Sequence, residues 1–171
     1  MRAVPGPDRG IPAFDPGTLL AVLHEHGVRF VVIGGLAALA HGSPFPTEDL
    51  DITPAADQDN LARLSAALDA LDARVRTEGA SDGLVFHHDA ASLAAVRTWN
   101  LTTVAGDLGI AVLPAGTQGY PDLVRDAVTV EAFGVAIPIA SLADVVRSKQ
   151  AANRPKDQRV LPTLRRLLEE P

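Results

Sequence analysis

Cysteine is absent from the 171 residues, so the chain has neither a disulfide nor a thiolate zinc site, a composition that fits a reducing cytoplasm. Aromatic residues are scarce, at 4%, and Trp99 and Tyr120 are the sole Trp and Tyr. That is too few for a platform on which nucleic-acid bases stack. Positive charge is also short: 15 Lys and Arg stand against 21 Asp and Glu, a net charge of −6. A protein that grips nucleic acid through a broad basic surface, displacing counterions as it binds, is not built this way. No apolar run approaches the roughly 18 residues of a membrane span, and the opening Met1 to Phe14 is rich in proline and glycine, so no secretory leader is expected. Internal repeats and low-complexity segments are missing. None of the five histidines, His24, His26, His41, His87 and His88, has metal-ligand spacing to a second ligand. His41 reads as a helix-terminal residue satisfied by backbone.

What is present is a hydrophobic content of 47%, enough for one domain with a substantial core. The expected organisation is a loose tail over 1–14 followed by a single domain over 15–171, helical from about 141 to 170. Asp15-Pro16 has the cap and first-turn pattern of a helix to about His26. Asp57 to Leu71 reads as an amphipathic helix, Ala90 to Val96 as another, and Val75 to Val85 has no firm assignment. Thr98 to Val104 and Leu108 to Leu113 read as strands around Ala105-Gly106-Asp107, a hairpin-like turn. A short helix at Tyr120 to Ala127 precedes the strand pair Val128 to Phe133 and Val135 to Ile139. Two helices close the chain, the first capped by Ser141 and running to about Ala152. The order predicts an α/β (α+β) fold: a mixed β-sheet flanked by helices, with a C-terminal helical pair.

The densest chemistry lies between Phe30 and Ile52, FVVIGGLAALAHGSPFPTEDLDI. Phe30 to Ile33 reads as a buried strand stopped by Gly34 and Gly35. Glycine leaves the main chain bare, so a phosphate can approach the N–H groups where a helix over Leu36 to His41 begins. After the breaker segment Gly42 to Pro46, Asp49-Leu50-Asp51-Ile52 alternates acid and hydrophobe at the period of a strand. Both carboxylates then share one face, with Leu50 and Ile52 on the other. Such a pair suits Mg²⁺, which takes one or two carboxylates and completes its shell with water and substrate phosphates. Each half alone is common; the two in this order are not.

These residues resemble the DNA polymerase β superfamily of nucleotidyltransferases, in which a hydrophobic strand, a Gly-Gly or Gly-Ser turn and a later Asp-x-Asp form the metal and triphosphate site. The run Gly34 to Ala37, His41-Gly42 and Thr47 to Asp51 is similar to small bacterial proteins related to the AbiEii toxins. The likeness continues through Ala140 to Asp157, ASLADVVRSKQAANRPKD, which matches their Ser-Leu, Ser-Lys and Arg-x-Lys-Asp signature. The resemblance implies Asp49, Asp51, Lys149 and Asp157 as catalytic residues, and Gly34, Gly35, Thr47, Lys149 and Arg154 as nucleotide contacts. It implies Mg²⁺ or Mn²⁺ on Asp49 and Asp51, a nucleoside triphosphate as donor, and a tRNA, protein or small-molecule hydroxyl as acceptor. A cytoplasmic toxin–antitoxin component, with an antitoxin or other partner protein, is one setting that follows.

The chain departs from that pattern at three points. Phe45 between two prolines stands where relatives often carry a basic residue. Gly109, in Asp107-Leu108-Gly109-Ile110, occupies the position of the third metal carboxylate; Asp107 lies on the same strand face, about 6–7 Å away, and is the candidate substitute. The larger C-terminal helical region of full-size toxins is missing. These departures keep open an alternative, a catalytically degenerate fold that serves as a nucleotide-binding or protein-interaction module. On the residues alone, Lys149 borders an apolar stripe of its helix and is free to snorkel toward a phosphate, and Asp157 is a first-turn helical acid. The cations Arg147, Lys149, Arg154, Lys156, Arg159, Arg165 and Arg166 concentrate in the last quarter, either as a phosphate-holding patch or as a solvated helix face.

Overall fold

A computed structural model describes residues 10–171. The segment 1–9, most of the expected tail, lies outside the described residues. The chain runs α1 (Pro16–Glu25), β1 (Phe30–Ile33), α2 (Gly34–Ala40), β2 (Asp49–Pro54), α3 (Gln58–Ala70), β3 (Arg74–Thr77), β4 (Ala80–Leu84) and α4 (Ala90–Ala95). It continues through β5 (Thr98–Thr103), β6 (Gly106–Ala111), α5 (Tyr120–Leu123) with a 3-10 turn over Val124–Asp126, β7 (Val128–Ala132), β8 (Val135–Ile139), α6 (Leu142–Ala152) and α7 (Pro155–Glu169).

The strands form one mixed sheet in the order β4-β3-β5-β6-β2-β1-β8-β7. Its centre is set by apolar alternation. Leu50 and Ile52 of β2, Leu108 and Ile110 of β6 and Leu101 of β5 are all essentially inaccessible, and they join Val31 and Val32 of β1 in one core. Helix α1 adds Leu19, Leu20 and Leu23 to that core, and α3 adds Leu61, Leu64 and Leu68. Each fully buried leucine or isoleucine contributes about 1.5–3 kcal/mol relative to an exposed one. The expected mixed α/β architecture, helices around one mixed sheet, is the one observed.

Local chemistry sets the helix starts. Asp15 accepts from the Thr18 N–H at 3.1 Å, Asp57 from that of Asn60 at 3.0 Å, and Ser141 from that of Asp144 at 3.1 Å. Asn60, fully buried, also donates to the carbonyls of Arg29 and Ala55 and accepts from the Arg29 N–H, fastening α3 to the adjoining ends of β1 and β2.

Three local expectations change. Gly34 and Gly35 are the first residues of α2 rather than a turn ahead of it, because Gly34 takes up the positive φ of +68° that passes the chain directly from strand to helix. The unassigned 75–85 segment is a β3–β4 hairpin. Gly106 and Asp107 belong to β6, so the hairpin turn falls at Val104-Ala105, where the Thr103 hydroxyl accepts from the Ala105 N–H and donates to the Gly106 carbonyl.

Candidate active site

Strand β2 sits between β1, antiparallel to it, and β6, parallel to it. Ile33 and Gly109 are therefore the lateral neighbours of Asp51, and Asp107 is that of Asp49. As the alternation requires, Leu50 and Ile52 face the core while Asp49 and Asp51 remain partly accessible on the other face. Thr47 donates to the backbone carbonyl of Asp49 at 3.2 Å and lies 3.1 Å from its Oδ1, bracing the first carboxylate.

The second carboxylate lies in a slot between two glycines. A Cβ on Gly34 would stand 2.5 Å from Asp51 Oδ2, and a Cβ on Gly109 would overlap Asp51 Oδ1 outright. The space that a side chain at 109 would take is thus the one into which Asp51 folds. Burial pushes the Asp51 pKa up, Asp49 adds to the rise, and Lys156, Lys149 and Arg154 oppose it; the result is about 6.

The C-terminal helices supply those cations. Asn153, in the left-handed conformation at φ 51°, ends α6, and Pro155 opens α7, so the chain reverses and sets Lys149 beside Asp157 at 3.6 Å. The Asp157 side chain is wholly inaccessible, and Lys149 keeps only 16% of its side chain exposed. Arg154 donates to Asp157 through its backbone N–H at 3.1 Å and through Nε at 2.8 Å. Burial alone would raise the Asp157 pKa, but the Arg154 hydrogen bonds and the charges of Arg154 and Lys149 outweigh it and hold the carboxyl ionised below its usual range. Asp157 is therefore both the first-turn acid expected locally and the anchor of two cleft cations.

All of these groups meet in one cleft of about 540 Å³. Gly34, Gly35, Thr47, Asp49, Asp51, Lys149, Arg154 and Asp157 line it together. Asp107 does not: its carboxylate accepts from Arg76 at 2.9 Å and lines a neighbouring hollow. Among the described residues no group of three or more His, Cys, Asp or Glu is arranged to hold a metal ion. The Asp49 and Asp51 pair, with open cleft beside it, still fits one Mg²⁺ that takes the rest of its shell from phosphates and water.

Among the cleft residues that were not legible as site residues are Arg76, Asn100 and Asp144. Arg76 and Asn100 are exposed strand residues in segments without a motif, and nothing short of the sheet order reveals them. Asp144 belongs to a partly buried network in which Arg147 bonds Asp144 at 2.8 Å and Asp122 at 3.0 Å. Of the seven C-terminal cations, Lys149, Arg154 and Lys156 line the cleft, while Arg147 is committed to this network. His41 donates through Nε2 to the Ala140 carbonyl at 2.8 Å and so joins α2 to the start of α6, the backbone role expected of it.

No protein-family model matches the chain, and no curated protein matches it by sequence. Solved structures do. The lincomycin-bound lincosamide antibiotic adenylyltransferase LnuA superposes with a TM-score of 0.60 at 12% identity, covering 91% of this chain and 99% of that one. The antibiotic-resistance factor ANT(2'')-Ia gives 0.49 at 17% identity over 89% of this chain and 88% of its own. Among the described residues no helix is long and apolar enough to cross a membrane. The eight-stranded mixed sheet, its flanking helices and the match to LnuA across nearly all of both chains identify the architecture as a nucleotidyltransferase-like fold.

Proposed function

We propose that the chain is a metal-dependent nucleotidyltransferase that moves a nucleoside monophosphate from a nucleoside triphosphate to an acceptor hydroxyl. One observation carries the reading: Asp49 and Asp51, Gly34 and Gly35, and the Lys149, Arg154 and Asp157 group, which are far apart in the chain, line a single cleft. The N–H groups of Gly34 and Gly35 and the cations Lys149 and Arg154 hold the triphosphate. Asp49 and Asp51 hold Mg²⁺ or Mn²⁺, which when bound offsets charge on the attacking and leaving oxygens. Asp157 keeps Lys149 and Arg154 in place. The acceptor oxygen bonds to the α-phosphorus as the bridge to the β-phosphate breaks, pyrophosphate leaves with the electron pair, and the hydroxyl proton is lost to water. Pre-placed cations and backbone donors lower the barrier because they need no reorganisation as charge shifts.

The AbiEii-like signature keeps a toxin with a tRNA or protein acceptor, and an antitoxin partner, within this reading. The second reading is a nucleotide-binding module without transfer, and Gly109 favours it, since β6 brings no carboxylate to the level of Asp51. An assay with α-labelled nucleoside triphosphates and Mg²⁺ or Mn²⁺ decides between them. Transfer of label that is lost in Asp49→Ala/Asp51→Ala supports the enzyme. Metal-dependent binding without transfer to any class of acceptor supports the module, and no binding sinks both.

A further inference from the structure

The Asp49 and Asp51 pair has a second flank, on the side away from the triphosphate groups. In sheet order, β1, which leads into Gly34 and α2 with α6 packed on it, lies on one side of β2, and β6, β5 and β3 lie on the other. Across that side the pairing sets a row on one face: Asp51 beside Gly109, and Gly109 beside Asn100. Arg74 pairs with Thr102 and Val75 with Leu101, and Arg76, the next residue of β3, lines the cleft together with Asn100. At the usual strand spacing, Asn100 stands about 10 Å from Asp51. Gly109 has no side chain of its own, and the Asp51 carboxylate lies over it.

Beyond this row lies a second hollow of about 670 Å³, and the two hollows share Arg76 and Asn100. A transfer enzyme needs two substrate sites that meet at the reacting phosphorus. We infer that the second hollow is the acceptor site, and that Asn100 and Arg76 at its junction with the cleft position the acceptor hydroxyl toward the Asp49 and Asp51 pair. This rests on the nucleotidyl-transfer reading above.

The wall of the hollow narrows the acceptor's chemistry. Hydroxyls come from Thr77, Ser81 and Thr102, and charge from Glu48, Glu78 and Asp107 against Arg76. Arg76 is already balanced by Asp107 at 2.9 Å, in an ion pair whose side chains are 50% and 39% exposed and which opens at little cost. The remaining acids repel a polyanion and attract amines. The acceptor class is therefore a small polyhydroxylated molecule bearing positive charge, and an RNA end is disfavoured.

Binding is measured by calorimetry on the full chain with three probes: a glucosamine trisaccharide at slightly acid pH, maltotriose as its neutral counterpart, and an RNA hairpin ending in CCA. The charged trisaccharide is expected to bind at least about tenfold tighter than maltotriose, with Glu48→Gln/Glu78→Gln erasing most of that margin. Asn100→Ala is expected to weaken both sugars by a larger factor than it weakens a non-hydrolysable triphosphate with Mg²⁺. Equal affinity for the two sugars, no effect of the double variant, or preference for the hairpin overturns the assignment. Triphosphate binding with no sugar binding removes the acceptor site alone. Failure of the triphosphate to bind removes the nucleotidyl-transfer reading, and the sugar comparison is still scored separately.

Discussion

Asp51 of β2 and Gly109 of β6 are register partners, and the Asp51 carboxylate occupies the space that a side chain on residue 109 would need. The absence of a carboxylate at 109 and the seating of Asp51 are thus one feature of the packing. Four experiments follow from this relationship and its neighbours.

In Gly109→Ala, the new methyl meets the free end of Asp51, so the carboxylate swings away while the strand pairing survives. Displacing a side chain from its rotamer costs about 0.5–1.5 kcal/mol. Thermal melting is expected to fall by a few degrees, on the order of 2–4 °C per kcal/mol for a chain of this size. Mg²⁺-dependent triphosphate affinity is expected to fall about tenfold or more, because the displaced group is a proposed ligand. Unchanged Mg²⁺ titration curves would remove Asp51 from the metal site.

Asp51→Asn separates the cost of the buried charge from its use. The folded pKa of Asp51, about 6, lies above its ordinary value of 3.8, so the folded state holds that proton longer than the unfolded chain does. Folding stability from this group falls as pH rises from the lower value to the higher one, and remains reduced above it. The Asn variant lacks the penalty and is expected to exceed wild type by roughly 1–3 kcal/mol at neutral pH. The gap is expected to close below the ordinary carboxylate value and to narrow in saturating Mg²⁺, which favours the ionised acid. Parallel melts across pH test this, and a constant gap refutes it.

Asp157→Ala strips Arg154 and Lys149 of their shared acid and leaves the start of α7 without its side-chain acceptor. Removing one partner of a buried ion pair costs about 3–5 kcal/mol, seen here as a shift in the urea midpoint. Lys149→Met is milder, because Arg154 still satisfies the acid. Its main effect is expected on triphosphate affinity. The opposite ranking in a urea series would show that Lys149, and not Asp157, is the structural member.

Arg147 bridges Asp122 and Asp144, both largely inaccessible, across α5 and α6. Arg147→Met leaves Asp144 without its cation while Asp122 keeps Arg125, and because the guanidinium is 41% exposed a loss of about 1–2 kcal/mol is expected. Hydrogen bonds from the Gln118 N–H and Arg125, with the charge of Arg147, hold the Asp122 pKa below its ordinary value against the opposing effect of burial. That stabilisation is present at neutral pH and fades as pH drops through the folded pKa, so the gap between wild type and variant is expected to shrink in acid. Denaturant titrations at neutral and acid pH measure the difference.

The local chemistry of this protein was written in its residues. Phe30 to Ile33 and the Asp49-Leu50-Asp51-Ile52 alternation specify strands and the face each side chain takes, since the period of two belongs to a single strand. Asp15, Asp57 and Ser141 mark helix starts because a cap needs only its own next turn. Residues of the Gly-Gly, Asp-x-Asp and Arg-x-Lys-Asp runs, distant in the chain, line one cleft. What only the tertiary structure decided is who stands beside whom. Gly109 is the bed of Asp51, Asp107 is held by Arg76, and Arg76 and Asn100 form the far wall, because strand neighbours depend on the register between β2, β6, β5 and β3. Lys149, Arg154 and Lys156 face the carboxylates while Arg147 turns to Asp122, because the reversal between α6 and α7 and the packing of α5 set those directions. Periodicity within one element carries no information about pairing between distant ones, and pairing decides which charges meet.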